Sequence, residues 1–201
     1  MGEILKYSAG LVSNAFWFLE SKKTAKLMLE GKTRKEIYEF AVENNIYQLE
    51  TKNRIKRVCN MTYRRLNHFS FDFLRVFLNL DVNSAKIFVL VSILADDKLF
   101  FEFMYEVFRD KIILGDFSLN YKDFDMFFEN KINQSNEVGK WTETTRKKLK
   151  SVYRRILSEA GVIRKNIDGW DIIIPFIDLN LHQKLVDEGF GPILYSITGE
   201  K

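Results

Sequence analysis

Only ten glycines and two prolines interrupt the 201 residues of this chain, about half the roughly 12% that an average sequence carries. Breakers this sparse leave few positions for tight turns, which disfavours sandwiches, barrels and collagen-like assemblies and favours long helices. A hydrophobic share of 46% excludes a disordered chain, and the length suffices to bury a real core. The expected fold is mainly α: a compact multi-helix globule with two helix-turn-helix-like elements and room for a short C-terminal β-hairpin.

Start and stop signals place the helices. Ser21 and Gly31 bracket one, and Thr33 followed by Glu36 is a capping box opening the next. Thr51 caps a helix running to about Asn67, and apolar helices are expected over 73–77 and 83–95. Phe-rich segments follow at 98–114 and 121–138, then a strongly periodic helix from Thr142 to Gly161. Val162-Ile163 and Trp170–Ile174 flank Asn166-Ile167-Asp168-Gly169, a hairpin signal, and Asp178 opens a short helix that stops at Gly189. No linker divides the chain. An N-terminal part (1–80) and a C-terminal part (81–201), each with one helix-turn-helix-like element and the second winged-helix-like, are expected to pack as one unit.

A net charge of +4 conceals a strong pattern. Residues 1–50 are neutral, 51–95 carry +6, 96–130 carry −5, 131–170 carry +6 and 171–201 carry −3. The first basic block centres on the helix from Thr51. There Ile55, Val58, Cys59, Thr62 and Leu66 form one apolar stripe about 100° wide, leaving Arg54, Lys56, Arg57, Arg64 and Arg65 around the opposite side. The second block repeats this. Leu149, Val152, Tyr153, Ile156, Leu157 and Ala160 face inward, while Lys147, Lys148, Ser151, Arg154 and Arg155 face out, followed by Arg164 and Lys165 in the hairpin. Arginine at the centre of the first block suits bidentate contact with phosphate or guanine. Either helix alone is equally well read as a solvated surface.

Other chemistries lack support. One cysteine, Cys59, permits no internal disulfide, and with two histidines cannot build the usual four-ligand zinc site, so neither metal nor cofactor is expected and the chain reads as cytoplasmic. The first residues resemble neither a signal peptide nor a myristoylation site, since Lys6 stands where Ser or Thr is required. The apolar runs 9–19 and 87–95 are too short to cross a membrane. Asp125, Glu129 and Lys131 loosely evoke a metal-dependent nuclease, but they fall on a helical period rather than a strand. No enzyme is expected. Glu102, Glu106 and Asp110 form an i, i+4, i+8 acidic stripe, read as a partner-docking surface or an internal partner for a basic helix.

Lys6-Tyr7-Ser8-Ala9-Gly10 with Leu27–Gly31, then Asp97-Lys98-Leu99-Phe100-Phe101-Glu102-Phe103-Met104, resemble the opening and the central motif of the BrxA family of bacteriophage-exclusion (BREX) systems. Phe127-Phe128 onward, and Trp141 through Leu149 to Glu159-Ala160-Gly161, resemble its C-terminal half, so the likeness spans roughly residues 6–163. That resemblance implies a non-enzymatic, mainly helical component of a phage-defence operon that binds double-stranded DNA beside other BREX proteins. It transfers no contact residues; those named above come from the helical wheels. Two alternatives stay open: an adaptor holding another defence protein through the acidic stripe, and an RNA-binding protein.

Overall fold

The computed structural model describes residues 6–200. The reading of the first residues as neither leader nor lipid anchor lies partly outside them. After a 3-10 turn (Gly10–Ser13), α1 (Phe18–Leu29) ends with Gly31 at φ 81°, where the Gly31 and Lys32 amides donate to the Met28 and Leu27 carbonyls. Its start lies earlier than Ser21. Trp17 turns the chain at φ 53°, its carbonyl accepts from the Ser21 amide, and Ser21 is buried within the helix. The Thr33–Glu36 capping box opens α2 (Arg34–Asn44), and the Thr51 hydroxyl accepts from the Arg54 amide at the start of α3 (Lys52–Leu66). Ser70 and Asp81 cap α4 (Phe71–Asn79) and α5 (Val82–Leu94) in the same way.

The second half departs more. α6 (Lys98–Phe103) passes through a π turn (Met104–Phe108) into α7 (Arg109–Ile113), adding a residue to the turn and rotating α7 about the axis it shares with α6. The expected helix over 121–138 breaks at Ser135, which is extended and caps a new turn, giving α8 (Tyr121–Gln134) and α9 (Asn136–Gly139). α10 (Glu143–Ala160) runs from Thr142 to Gly161 at φ 82°, as its signals require. The hairpin forms from β2 (Ile163–Lys165) and β3 (Trp170–Ile172), with Asn166 Oδ1 accepting from the Asp168 and Gly169 amides. A short strand the sequence did not announce, β1 (Ser118–Leu119), pairs with the other edge of β3, so the antiparallel order is β1-β3-β2. Gly169 permits this approach, because a Cβ there would collide with the Leu119 carbonyl. α11 (Leu179–Asp187) is capped by Asp178, and an unforeseen α12 (Gly191–Thr198) starts with Pro192 in its first turn.

α5 is the axis of the molecule. From Ile87 to Leu94 every residue is buried, so apolar groups cover the whole circumference rather than one stripe. It packs against α1, α3 and α4 from the first part of the chain and against α6, α10 and α12 from the second. Phe88 stacks on Phe77 with ring centroids 4.3 Å apart and meets Phe69 and Phe73 at 4.7 and 5.0 Å. On the C-terminal side Tyr153 of α10 stacks on Phe100 at 4.1 Å. Most of the phenylalanines are thus core, as their helical spacing implies, while Phe71, Phe117 and Phe176 are exposed. Phe88→Ala is expected to lower the unfolding free energy by about 3–5 kcal/mol, through lost burial plus a cavity, in a urea titration followed by circular dichroism.

Candidate nucleic-acid interface

α3 presents its stripe as the sequence reads it: Ile55, Val58, Cys59, Thr62 and Leu66 are all buried. Its basic residues divide into two groups. Arg54, Lys56 and Arg57, in the first two turns, are exposed. Arg64 is exposed but engaged, its Nη2 lying 2.7 Å from the Asp96 carboxylate. Arg65 does not belong to the outer face at all; it is 1% exposed. It follows Val58 by one heptad, two helical turns, and therefore points the same way. Its Nη1 donates to the Ala15 carbonyl at 3.0 Å, its guanidinium lies 5.5 Å from the Trp17 ring centroid, and Nε and Nη2 have no partner. Burial pulls its pKa down to about 10, which leaves the charge intact at neutral pH.

α10 divides in the same manner. Lys148 and Ser151 are exposed, and Lys147 is exposed but paired with Glu143 at 2.7 Å. Arg154 is half-buried, its guanidinium 5.0, 5.4 and 5.3 Å from the ring centroids of Tyr121, Phe124 and Trp170. Desolvation lowers its pKa, and its role is to bind α10 to α8 and β3. Arg155 donates from Nη2 to the Asn14 carbonyl at 3.0 Å. In the hairpin, Arg164 lies 3.5 Å from Asp171, and the Lys165 ammonium sits 4.3 Å from the Trp170 centroid. Ile167 stands at the tip, 98% exposed.

The acidic stripe is partly neutralised by an internal cation. Glu102 and Glu106 both turn inward onto the buried Lys131 ammonium of α8, at 2.7 and 2.6 Å, and Tyr7 donates its hydroxyl to Glu102. Desolvation works against the charge on Lys131, yet the two carboxylates hold its pKa above the usual lysine value. Asp110 follows the π turn, lies 3.9 Å from Arg109 and lines one surface cleft with Glu106. Lys131 of α8, rather than a basic helix, is therefore the internal partner of the two glutamates, while Glu106 keeps 45% of its side chain exposed and lines that cleft with Asp110. The same contacts dissolve the nuclease-like grouping, since Asp125 pairs with Lys150 at 2.6 Å while Lys131 faces Glu102 and Glu106. Among the described residues, no group of three or more His, Cys, Asp or Glu could hold a metal, and no helix is long and apolar enough to cross a membrane.

What the sequence could not place is the junction of the two basic helices. Arg54 and Arg57 of α3 and Arg155 of α10 line one cleft of about 260 Å³, walled by the Val12–Ala15 segment and Trp17. No carboxylate lines it. A larger cleft of about 760 Å³ between α4 and α11 mixes Arg75 and Lys184 with Asp81, Asp178 and Asp187, so its charges offset one another.

The chain matches the BrxA family over residues 5–189. It belongs to that family. The match extends past the span the motifs cover, into α11. A BrxA-family protein of Bacillus cereus (strain H3081.97), called BREX protein BrxA, is 36% identical over 194 residues, covering 96% of this chain and 97% of that one. The crystal structure of an uncharacterized protein from Magnetospirillum magneticum superposes with a TM-score of 0.82 over 98% of this chain and 100% of that one; at 20% identity this speaks for the fold alone.

In this BrxA-family chain the central motif at Asp97 carries a titratable cap. The Asp97 carboxylate accepts from the Phe100 amide at 2.9 Å, yet burial, with Asp96 adjacent, pushes its pKa up to about 6. Desolvation would raise Asp96 as well, but His68 and Arg64 hold it below the usual value. Because folding raises the Asp97 pKa, its contribution is complete below about pH 4 and is lost as the pH climbs through 6. Asp97→Asn keeps a capping side chain, and its urea midpoint is expected to vary less than that of wild type between about pH 4.5 and 7. An equally steep variant would contradict the assignment.

Proposed function

We propose that this chain is a non-enzymatic, double-stranded DNA-binding component of a BREX phage-defence system, working in the cytoplasm beside other BREX proteins. Membership of the BrxA family and the name of its Bacillus cereus relative support the BREX assignment. The DNA reading is carried by one observation: the free arginines of α3 and Arg155 of α10 line a single carboxylate-free cleft, so the two basic surfaces adjoin. The succession α7, β1, α8, the short α9, α10, β2, turn, β3, with strand order β1-β3-β2, supports reading the C-terminal part as winged-helix-like, with α10 as the helix offered to a groove and Arg164, Lys165 and Ile167 in the wing. α2, a connecting loop and α3 support the helix-turn-helix reading of the first part.

Contacts of this kind are mainly to phosphates, so affinity for duplex DNA is expected to fall steeply with salt, by about 10³–10⁵ between 50 and 200 mM if six to ten phosphates are engaged. Fluorescence anisotropy on a labelled duplex measures this directly. Arg57→Glu combined with Lys148→Glu and Arg155→Glu, checked for folding by circular dichroism, is expected to abolish binding at low salt. Retained binding would remove the reading, and a preference for structured RNA in competition would favour the RNA alternative. The adaptor reading keeps one observation of its own. Leu114 and Met126, 81% and 62% exposed, line a surface cleft with Glu106, Val107, Asp110 and Asp123, an apolar and acidic patch whose one cation, Lys111, is paired with Asp116 and Asp123.

A further inference from the structure

The geometry points to the cleft between α3, the Asn14–Trp17 segment and α10 as a pocket for a single phosphate group, which in duplex DNA clamps one backbone phosphodiester and thereby joins the two basic helices. Its place on DNA rests on the function proposed for the chain; the pocket itself rests on geometry and charge.

Arg54 and Arg57 lie three residues apart on one face of α3, and Arg155 reaches the same space from α10. The fork of a guanidinium matches a tetrahedral oxyanion in a way that a lysine point charge does not. Arg155 spends one Nη2 donor on Asn14 and has the exposed Glu159 carboxylate 3.9 Å from its Nε, outside the cleft, while Arg54 and Arg57 have no carboxylate in the cleft to satisfy them. Two carbonyls of the wall are already occupied: Asn14 O accepts from Arg155 and Ala15 O from Arg65. Arg65 then stands directly behind the wall, buried, with two unpartnered guanidinium nitrogens and no competing anion in hydrogen-bond contact. Its charge adds to that of the three lining arginines, offset in part by Asp96 and Asp97.

α3 supplies a second argument. Its first turn holds no acidic residue and its N-cap is Thr51, whereas α2, α8 and α10 carry Glu36, Asp123 and Glu143 there. α5, α6 and α11 also lack one but are capped by Asp81, Asp97 and Asp178, and α12 has neither. Cations crowd the positive end of this helix, an arrangement that a bound anion relieves. The volume of about 260 Å³ lies below the roughly 300–1,000 Å³ of pockets for drug-sized ligands, and so suits one phosphate with its ester links better than a whole cofactor. The wall is fixed in advance, since Trp17 sits at φ 53° against the Arg65 guanidinium.

The test pairs a small probe with the polymer, using the full chain. Inorganic phosphate, added at constant ionic strength against chloride, is expected to raise the melting temperature of wild type by a few degrees and to leave Arg54→Gln/Arg57→Gln unmoved. The same variant is expected to bind duplex DNA at least tenfold more weakly, with the log–log salt slope shallower by about two. Arg155→Lys, which keeps the charge and a donor for Asn14, guards against a folding defect and is expected to lose part of both effects. If phosphate stabilises the protein while the cleft variant binds duplex normally, the pocket serves a free phosphate and the backbone assignment is overturned. If duplex binds but phosphate has no effect, and the variant loses no more slope than two removed surface charges elsewhere while matching wild type in affinity loss per charge, the clamp falls and the DNA reading stands. If phosphate stabilises through these arginines but no duplex binds, the pocket stands and the DNA reading falls.

Discussion

Burial of α5 on all sides is the constraint on which the rest of the structure depends. A helix with no polar face has no stable place except at the centre of a globule, and here it is enclosed by helices from both ends of the sequence. The elements before and after residue 81 are therefore not separate modules joined by a tether; each completes its core against the same helix. α3 and α10 approach α5 from different parts of the chain, and that approach brings Arg54, Arg57 and Arg155 to one cleft.

The cations in this molecule do two different jobs, and packing decides which. Arg65, Arg154 and Lys131 are withdrawn from bulk water and held by a carbonyl, by aromatic faces or by two carboxylates. Truncating Arg65 or Lys131 would leave a carbonyl or two carboxylates without their partner, which costs more than a surface ion pair contributes, whereas truncating Arg154 would uncover the aromatic faces it packs on. Arg54, Lys56, Arg57, Lys148 and the wing residues remain at the surface, where their charge is available to an anion. A charge count cannot separate the groups, because a +6 block includes members of both.

Much of the fold was legible because the signals were local. Thr33 with Glu36, Thr51, Thr142 and Gly161, and Asn166 through Gly169 each act through hydrogen bonds or backbone dihedrals within a few residues. The apolar stripes of α3 and α10 were also legible, since a 3.6-residue period fixes which residues share a side. The π turn after Phe103, the break at Ser135 and the strand at Ser118–Leu119 were not. Each is tied to contacts with distant segments: β1 exists because β3 offers it an edge, and the π turn carries Glu106, which with Glu102 grips Lys131 of α8. One signal could have found Arg65, its heptad spacing from Val58, had the stripe been drawn wide enough to include it.

By itself, then, the sequence determined the helical class, most helix boundaries, the inner faces of the two basic helices, and a motif pattern sufficient to suggest the family. These are properties of short segments, set by dihedral preference, capping and periodicity. Only the tertiary structure decided which arginines are free, where the acidic residues point, and that α3, Trp17 and α10 enclose a common cleft. Those outcomes depend on residues as far apart as Asn14 and Arg155, and a contact across that separation is fixed by how helices pack on α5 rather than by any pattern along the chain.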